Sequence, residues 1–225
     1  MLPRLITKPE QSGKTFIMLQ QMIDQINKET PKGKKNINFV ICDNNLLLVL
    51  QTFKRVENVP KLENHVEFSC AKTSGCRTFP SVVESIIHKN IRNVLCCSNH
   101  IRLKDINSII SSIHLLGKGD EYQFNIWFDE ADKWLRGIDT HITPLSLEYD
   151  NVKLNLITAT PLRIIKKYKK VEIVGIEEPT LPEYHGWLDS QFKIYADVFK
   201  TESFVERVLD DNHEEIQKGT KWFIP

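Results

Sequence analysis

No apolar run in this chain is long enough to cross a bilayer. The longest unbroken aliphatic stretch, Leu46 to Leu50, stops after five residues, where a membrane helix needs about 20. No signal pattern opens the sequence, which argues against secretion. Charge of one sign is missing as well: 30 basic and 29 acidic residues leave a formal net charge of +1, so no global field advertises a polyanionic partner. The five cysteines (Cys42, Cys70, Cys76, Cys96 and Cys97) form no C-x-x-C pair, and their odd number fits reduced thiols better than a disulfide framework. Cys70, Cys76, His88 and His100 match no standard zinc spacing. Internal repeats and low-complexity tracts are absent. The expectation is an intracellular protein, cytoplasmic or nuclear, with no membrane partner.

With 225 residues, 41% of them hydrophobic, the chain can bury one α/β core and carry a small appendage. Strand-like runs lie at Leu2–Ile6, Asn38–Cys42, Val66–Ser69, Asn93–Cys97, Phe124–Phe128, Lys153–Ile157 and Val171–Val174. Helical patterns fall between them at Thr15–Asn27, Leu46–Arg55, Ser81–Lys89 and Asp105–Leu115. Phe16, Leu19, Ile23 and Ile26 share one face of the first, and Asp105 stands where an N-cap opens the last. This alternation predicts a mostly parallel central sheet with helices on both faces. After Pro179 the pattern becomes irregular. A capping box at Ser203–Glu206 predicts a helix to about Gln217, and Lys221–Pro225 reads as the start of another strand.

Three strand ends carry chemistry. The first run leads into Lys8-Pro9-Glu10-Gln11-Ser12-Gly13-Lys14-Thr15, a loop that opens a helix. Gln11, Ser12 and Gly13 would present backbone N–H groups to a phosphate, Lys14 adds a point charge, and the Thr15 hydroxyl can ligate magnesium. Lys8 stands where the usual pattern has glycine, and Glu10 places a negative charge near the loop's tip. The second strand end is Phe124 to Asp132, where Asp129 and Glu130 follow an apolar strand 115 residues after Lys14. Asp129 would hold the metal, and Glu130 would orient and deprotonate an attacking water. The third is Leu154 to Pro161, whose Thr158 and Thr160 hydroxyls can bond the acidic turn and sense a terminal phosphate.

In order and separation the three resemble the motifs of superfamily 2 helicases and translocases. Ser12–Thr15 looks like their motif I, Asp129-Glu130-Ala131-Asp132 like motif II of DEAD-box members, and Thr158-Ala159-Thr160 like motif III. Asn38–Asp43 with Leu46–Gln51 occupies the place of motif Ia. The resemblance also extends to helicase-like ATPases of large DNA viruses. It implies a RecA-like P-loop lobe over residues 1–178, followed at 179–225 by a linker and the opening of a second such lobe. It further implies ATP and Mg2+ as cofactors, with DNA or RNA gripped along a single-strand backbone. Family members use the loops after their second and fourth strands for that grip, which would bring in Asn44, Asn99 and Arg102. A second RecA-like lobe, in cis or trans, would supply an arginine finger worth roughly 10³ to 10⁵ in rate, so this chain alone is expected to turn over slowly. The cluster of Arg163, Lys166, Lys167, Lys169 and Lys170 reads either as a phosphate-binding patch or as a solvated connection. Two other readings stand beside the helicase: a different P-loop motor such as a packaging terminase, and a degenerate lobe that binds nucleic acid without turnover.

Overall fold

All seven strand-like runs are strands, and the central ones are largely apolar because a strand covered on both faces has no solvent-facing side to alternate with. β1 (Arg4–Thr7), β2 (Lys35–Cys42), β3 (His65–Glu67), β4 (Asn93–Cys97), β5 (Tyr122–Phe128), β6 (Val152–Thr158) and β7 (Glu172–Ile173) form one sheet. Every pairing is parallel, and the order is β3-β4-β2-β5-β6-β1-β7. The computed structural model describes residues 2–7, 13–27, 33–62, 64–68, 78–174, 206–207 and 209–217. The chain divides into two units, Met1–Tyr184 and His185–Pro225. The expected boundary at 178, the cap at Ser203 and the strand from Lys221 lie outside the described residues. Among the described residues, no helix is long and apolar enough to cross a membrane.

The first unit is an α/β fold with helices on both faces, as the pattern predicts. α1 (Lys14–Asn27) and α2 (Leu46–Glu57) cover one face, packing on Ile6, Val40, Trp127 and Ile157. On the other, α3 (Phe79–His88), α4 (His100–Leu115), α5 (Leu135–His141), α6 (Thr143–Glu148) and α7 (Leu162–Tyr168) cover Leu5, Phe39, Phe124 and Phe128. Neighbouring residues such as Leu5 and Ile6 enter opposite cores because strand side chains alternate. In the second unit, α8 (His213–Gln217) is a short helix.

Two local expectations need correction. The buried face of α1 is Met18, Leu19 and Met22, while Phe16 is 64% exposed. Phe16 stands in the first turn, one turn before the buried Leu19. α4 begins at His100, not Asp105: Asn99 adopts extended backbone and its side chain accepts a hydrogen bond from the Arg102 N–H at 2.9 Å. Asp105 lies inside the helix, one turn past Arg102. The basic run after Pro161 connects β6 to β7 with its cations exposed, mostly on the helix α7, which buried Ile164 anchors.

Polar side chains cross the sheet beneath α1 and α2. The Trp127 Nε1–H donates to Asn38 Oδ1 at 3.0 Å, and Asn38 Nδ2 donates to Asn93 Oδ1 at 2.9 Å. Asn93 Nδ2 ends the chain on the Leu62 carbonyl at 3.2 Å. Asn38 and Asn93 are directly paired in register between β2 and β4, and all three side chains are fully buried. A one-residue slip would strand these groups among aliphatic neighbours, so the ladder fixes the register.

Candidate functional site

An all-parallel sheet sends every strand's C-terminal end to one edge, and β1, β5 and β6 lie side by side there with β6 in the middle. Thr7 pairs with Thr158 and Phe128 with Leu156, so the three ends finish nearly level. Gln11 and Ser12 lie outside the described residues. Gly13 has φ +84°, the left-handed region that suits glycine, and its carbonyl accepts the Ile17 N–H at 3.1 Å as α1 begins. Lys14 and Thr15 follow in the first turn.

Across β6, β5 stays paired up to Asp129, whose N–H donates to the Ile41 carbonyl at 2.9 Å. Glu130 then takes φ 51° and ψ 44°. A left-handed non-glycine residue is uncommon, and at a strand end beside paired carboxylates it marks a constrained turn. The turn brings the Glu130 carboxylate to the lysine: Lys14 Nζ and Glu130 Oε1 are 3.6 Å apart, with the lysine side chain only 10% exposed. The Glu130 N–H donates to Asp129 Oδ1 at 3.1 Å.

The threonines complete the edge. Thr158 Oγ1 donates to Asp132 Oδ1 at 2.5 Å, and Thr160 Oγ1 donates to Asp132 Oδ2 at 2.7 Å. Thr158 Oγ1 also accepts the Thr160 N–H at 2.9 Å. The hydroxyls therefore bond the acidic turn through Asp132, not through Asp129 or Glu130.

Sequence reasoning missed Asp43, which follows β2 as Asp129 follows β5. It accepts from Lys133 Nζ at 3.2 Å and from the Trp134 indole N–H at 3.3 Å, bracing the far side of the same turn. Burial alone would raise its carboxyl's pKa, but hydrogen bonds from the Asn44 N–H, Lys133 and Trp134 outweigh this and hold it below the ordinary range. An acid just after an apolar strand was the available sign.

Asp129 behaves the opposite way. Burial and the neighbouring Glu130 charge raise its carboxyl above the ordinary range, against the lowering effects of the Glu130 N–H and Lys14. Such a group costs stability when charged, a cost present above the folded value and absent below the unfolded one. Asp129→Asn should therefore be more stable than wild type at neutral pH. The advantage should vanish as pH falls through the carboxylate range, as read from melting temperatures across a pH series. An advantage that persisted in acid would mean the raised carboxyl is not its source.

The expected nucleic-acid contacts do not come together. Asn44 is exposed, but the Asn99 side chain is spent capping α4. Arg102 is buried: its guanidinium lies 4.0 Å from the Phe68 ring centre and pairs with Asp105 at 2.7 Å. It serves the core beneath α4, not a backbone phosphate. Cys42 and Cys96 are buried free thiols; burial pushes Cys42 up to about 12 and Cys96 well above its usual value, which leaves both protonated and unreactive. Compared with known proteins, the chain matches no protein-family profile and no curated sequence.

Proposed function

We propose that this chain is the ATP-binding lobe of a nucleic-acid-dependent ATPase of the superfamily 2 helicase or translocase kind, coupling ATP hydrolysis to movement on, or remodelling of, DNA or RNA. One observation carries the reading: Lys14 and Glu130, from sequence motifs 116 positions apart, lie 3.6 Å from each other at a single sheet edge. The Thr158 and Thr160 bonds to Asp132 add the third motif to the same place.

The residues present suit a triphosphate and its metal. Lys14 would counter phosphate charge beside the N–H groups that open α1. Thr15 and Asp129 would hold Mg2+. Asp129 and Glu130 are two adjacent carboxylates, one of them raised by burial and by the other's charge, a pairing that a divalent cation relieves. Bound there, the ion would neutralise charge on phosphate oxygens. Glu130 would orient a water molecule and accept its proton, and Asp132 would pass the state of the site to the end of β6. On this reading a second RecA-like lobe completes the cleft, and the setting is cytoplasmic or nuclear.

Nucleotide titration of wild type against Lys14→Ala tests the cradle. Loss of a charge-assisted contact of roughly 1.5 to 3 kcal/mol should weaken ATP binding about tenfold to a hundredfold. Equal affinities would remove Lys14 from the site and sink the reading.

A further inference from the structure

The geometry points to a second binding site: an open groove between the acidic turn and α7 that takes the phosphodiester backbone of a single-stranded nucleic acid. Its volume is about 580 Å³, and five of its seven lining residues are cationic. Lys133 and Arg136 form one wall, Arg163, Lys166 and Lys167 the other. This concentration is sharp in a chain whose formal net charge is only +1.

Two of the five cations are already neutralised. Lys133 pairs with Asp43 at 3.2 Å, and Lys167 pairs with Asp139. Arg136, Arg163 and Lys166 have no ion-pair partner among the described residues, and all three are exposed. Facing walls of unpaired like charge repel each other, and a polyanion laid between them relieves that repulsion. An arginine on each wall offers planar donor pairs suited to phosphate oxygens. A protein partner is the poorer fit, since interface centres are built on apolar and aromatic anchors and, among the described residues, the only apolar one lining the groove is Leu135. Among the described residues no aromatic ring lines the groove for base stacking, so recognition is of backbone and independent of sequence.

The groove shares Asp132 with the threonine bridge. A strand lying in it therefore touches the residue that fixes the end of β6 to the turn carrying Asp129 and Glu130. The choice of a nucleic acid rests on the proposed ATPase reading; the anion site itself rests on the groove.

Fluorescence anisotropy of the full chain with labelled oligothymidylate, across a salt series, tests this. Three unpaired cations should contribute about −2 to the slope of log affinity against log salt, at roughly −0.7 per single-strand phosphate. Arg136→Glu/Arg163→Glu should flatten the slope by between about 1 and 2 and lower low-salt affinity at least about tenfold. Arg136→Lys/Arg163→Lys, which keeps the charge, should retain most of the slope. Lys54→Glu/Lys89→Glu makes the same charge change away from the groove and should bind as wild type does. The proposal is overturned by unchanged binding in the groove variant, by an equal loss in the control, or by no salt-dependent binding in wild type. It is overturned too if polyglutamate competes as well as polynucleotide. ATP titration separates this from the catalytic reading. If Lys14→Ala binds ATP as wild type does while the groove variants behave as expected, the ATPase falls and the groove stands.

Discussion

Glu130→Gln should leave ATP bound and slow its hydrolysis by roughly a hundredfold to ten-thousandfold, the usual contribution of a positioned general base. Glutamine keeps the side chain's length and its reach toward Lys14, so the left-handed turn at Glu130 and the bonds from Thr158 and Thr160 to Asp132 need not change. What is lost, on the proposed reading, is the group that would take the water's proton. The substitution also removes the charge that helps raise the Asp129 carboxyl, so that carboxyl should titrate lower in the variant. Phosphate release under single-turnover conditions reads the chemistry, and a parallel nucleotide titration reads the binding. A Gln variant that hydrolyses at the wild-type rate would take Glu130 out of the reaction and undo the reading of this turn.

Asn38→Leu should destabilise the protein by about 2 to 4 kcal/mol although it buries a more hydrophobic side chain of similar size. Asn38 is the middle of the polar ladder: its oxygen accepts from the Trp127 indole, and its amide donates to Asn93. Leucine would leave a buried indole N–H and a buried amide oxygen each without that partner, at roughly 1 to 3 kcal/mol apiece, partly offset by the gain in apolar burial. Against a typical total stability of about 5 to 15 kcal/mol this is a large fraction. Urea denaturation measures it. A neutral outcome would show that the ladder sets register without adding stability.

The sheet was legible from sequence because strands buried on both faces appear as largely apolar runs, and all seven were visible. The three chemical strand ends were equally plain, since Lys14, Asp129, Glu130, Thr158 and Thr160 each follow directly from such a run or its loop. Less of the far face could be read. α5 carries Gly137, whose lack of a side chain lets the helix approach Leu103 on α4, and glycine inside a short segment hides a helix from periodicity. α6 begins with Pro144 in its first turn and is only six residues long. Arg102 looked like a surface cation because nothing near it in sequence reveals Phe68, which comes from beyond β3. The groove was invisible for the same reason. The basic residues of α7 could be seen, but Arg136 belongs to a helix that sequence pattern did not reveal, and only folding brings the two walls face to face.

Strand order also sets a length scale. Neighbouring strands lie about 4.8 Å apart, so with β6 between them the backbones of β1 and β5 are separated by roughly 10 Å. Lys14, which opens α1 after β1, and Glu130, which follows β5, meet through their side chains at 3.6 Å. On the proposed reading, a compact anion such as sulfate would reach one strand end or the other, whereas a chain of linked phosphates would be long enough to engage both. Discrimination by ligand length would then follow from the topology, through the spacer strand.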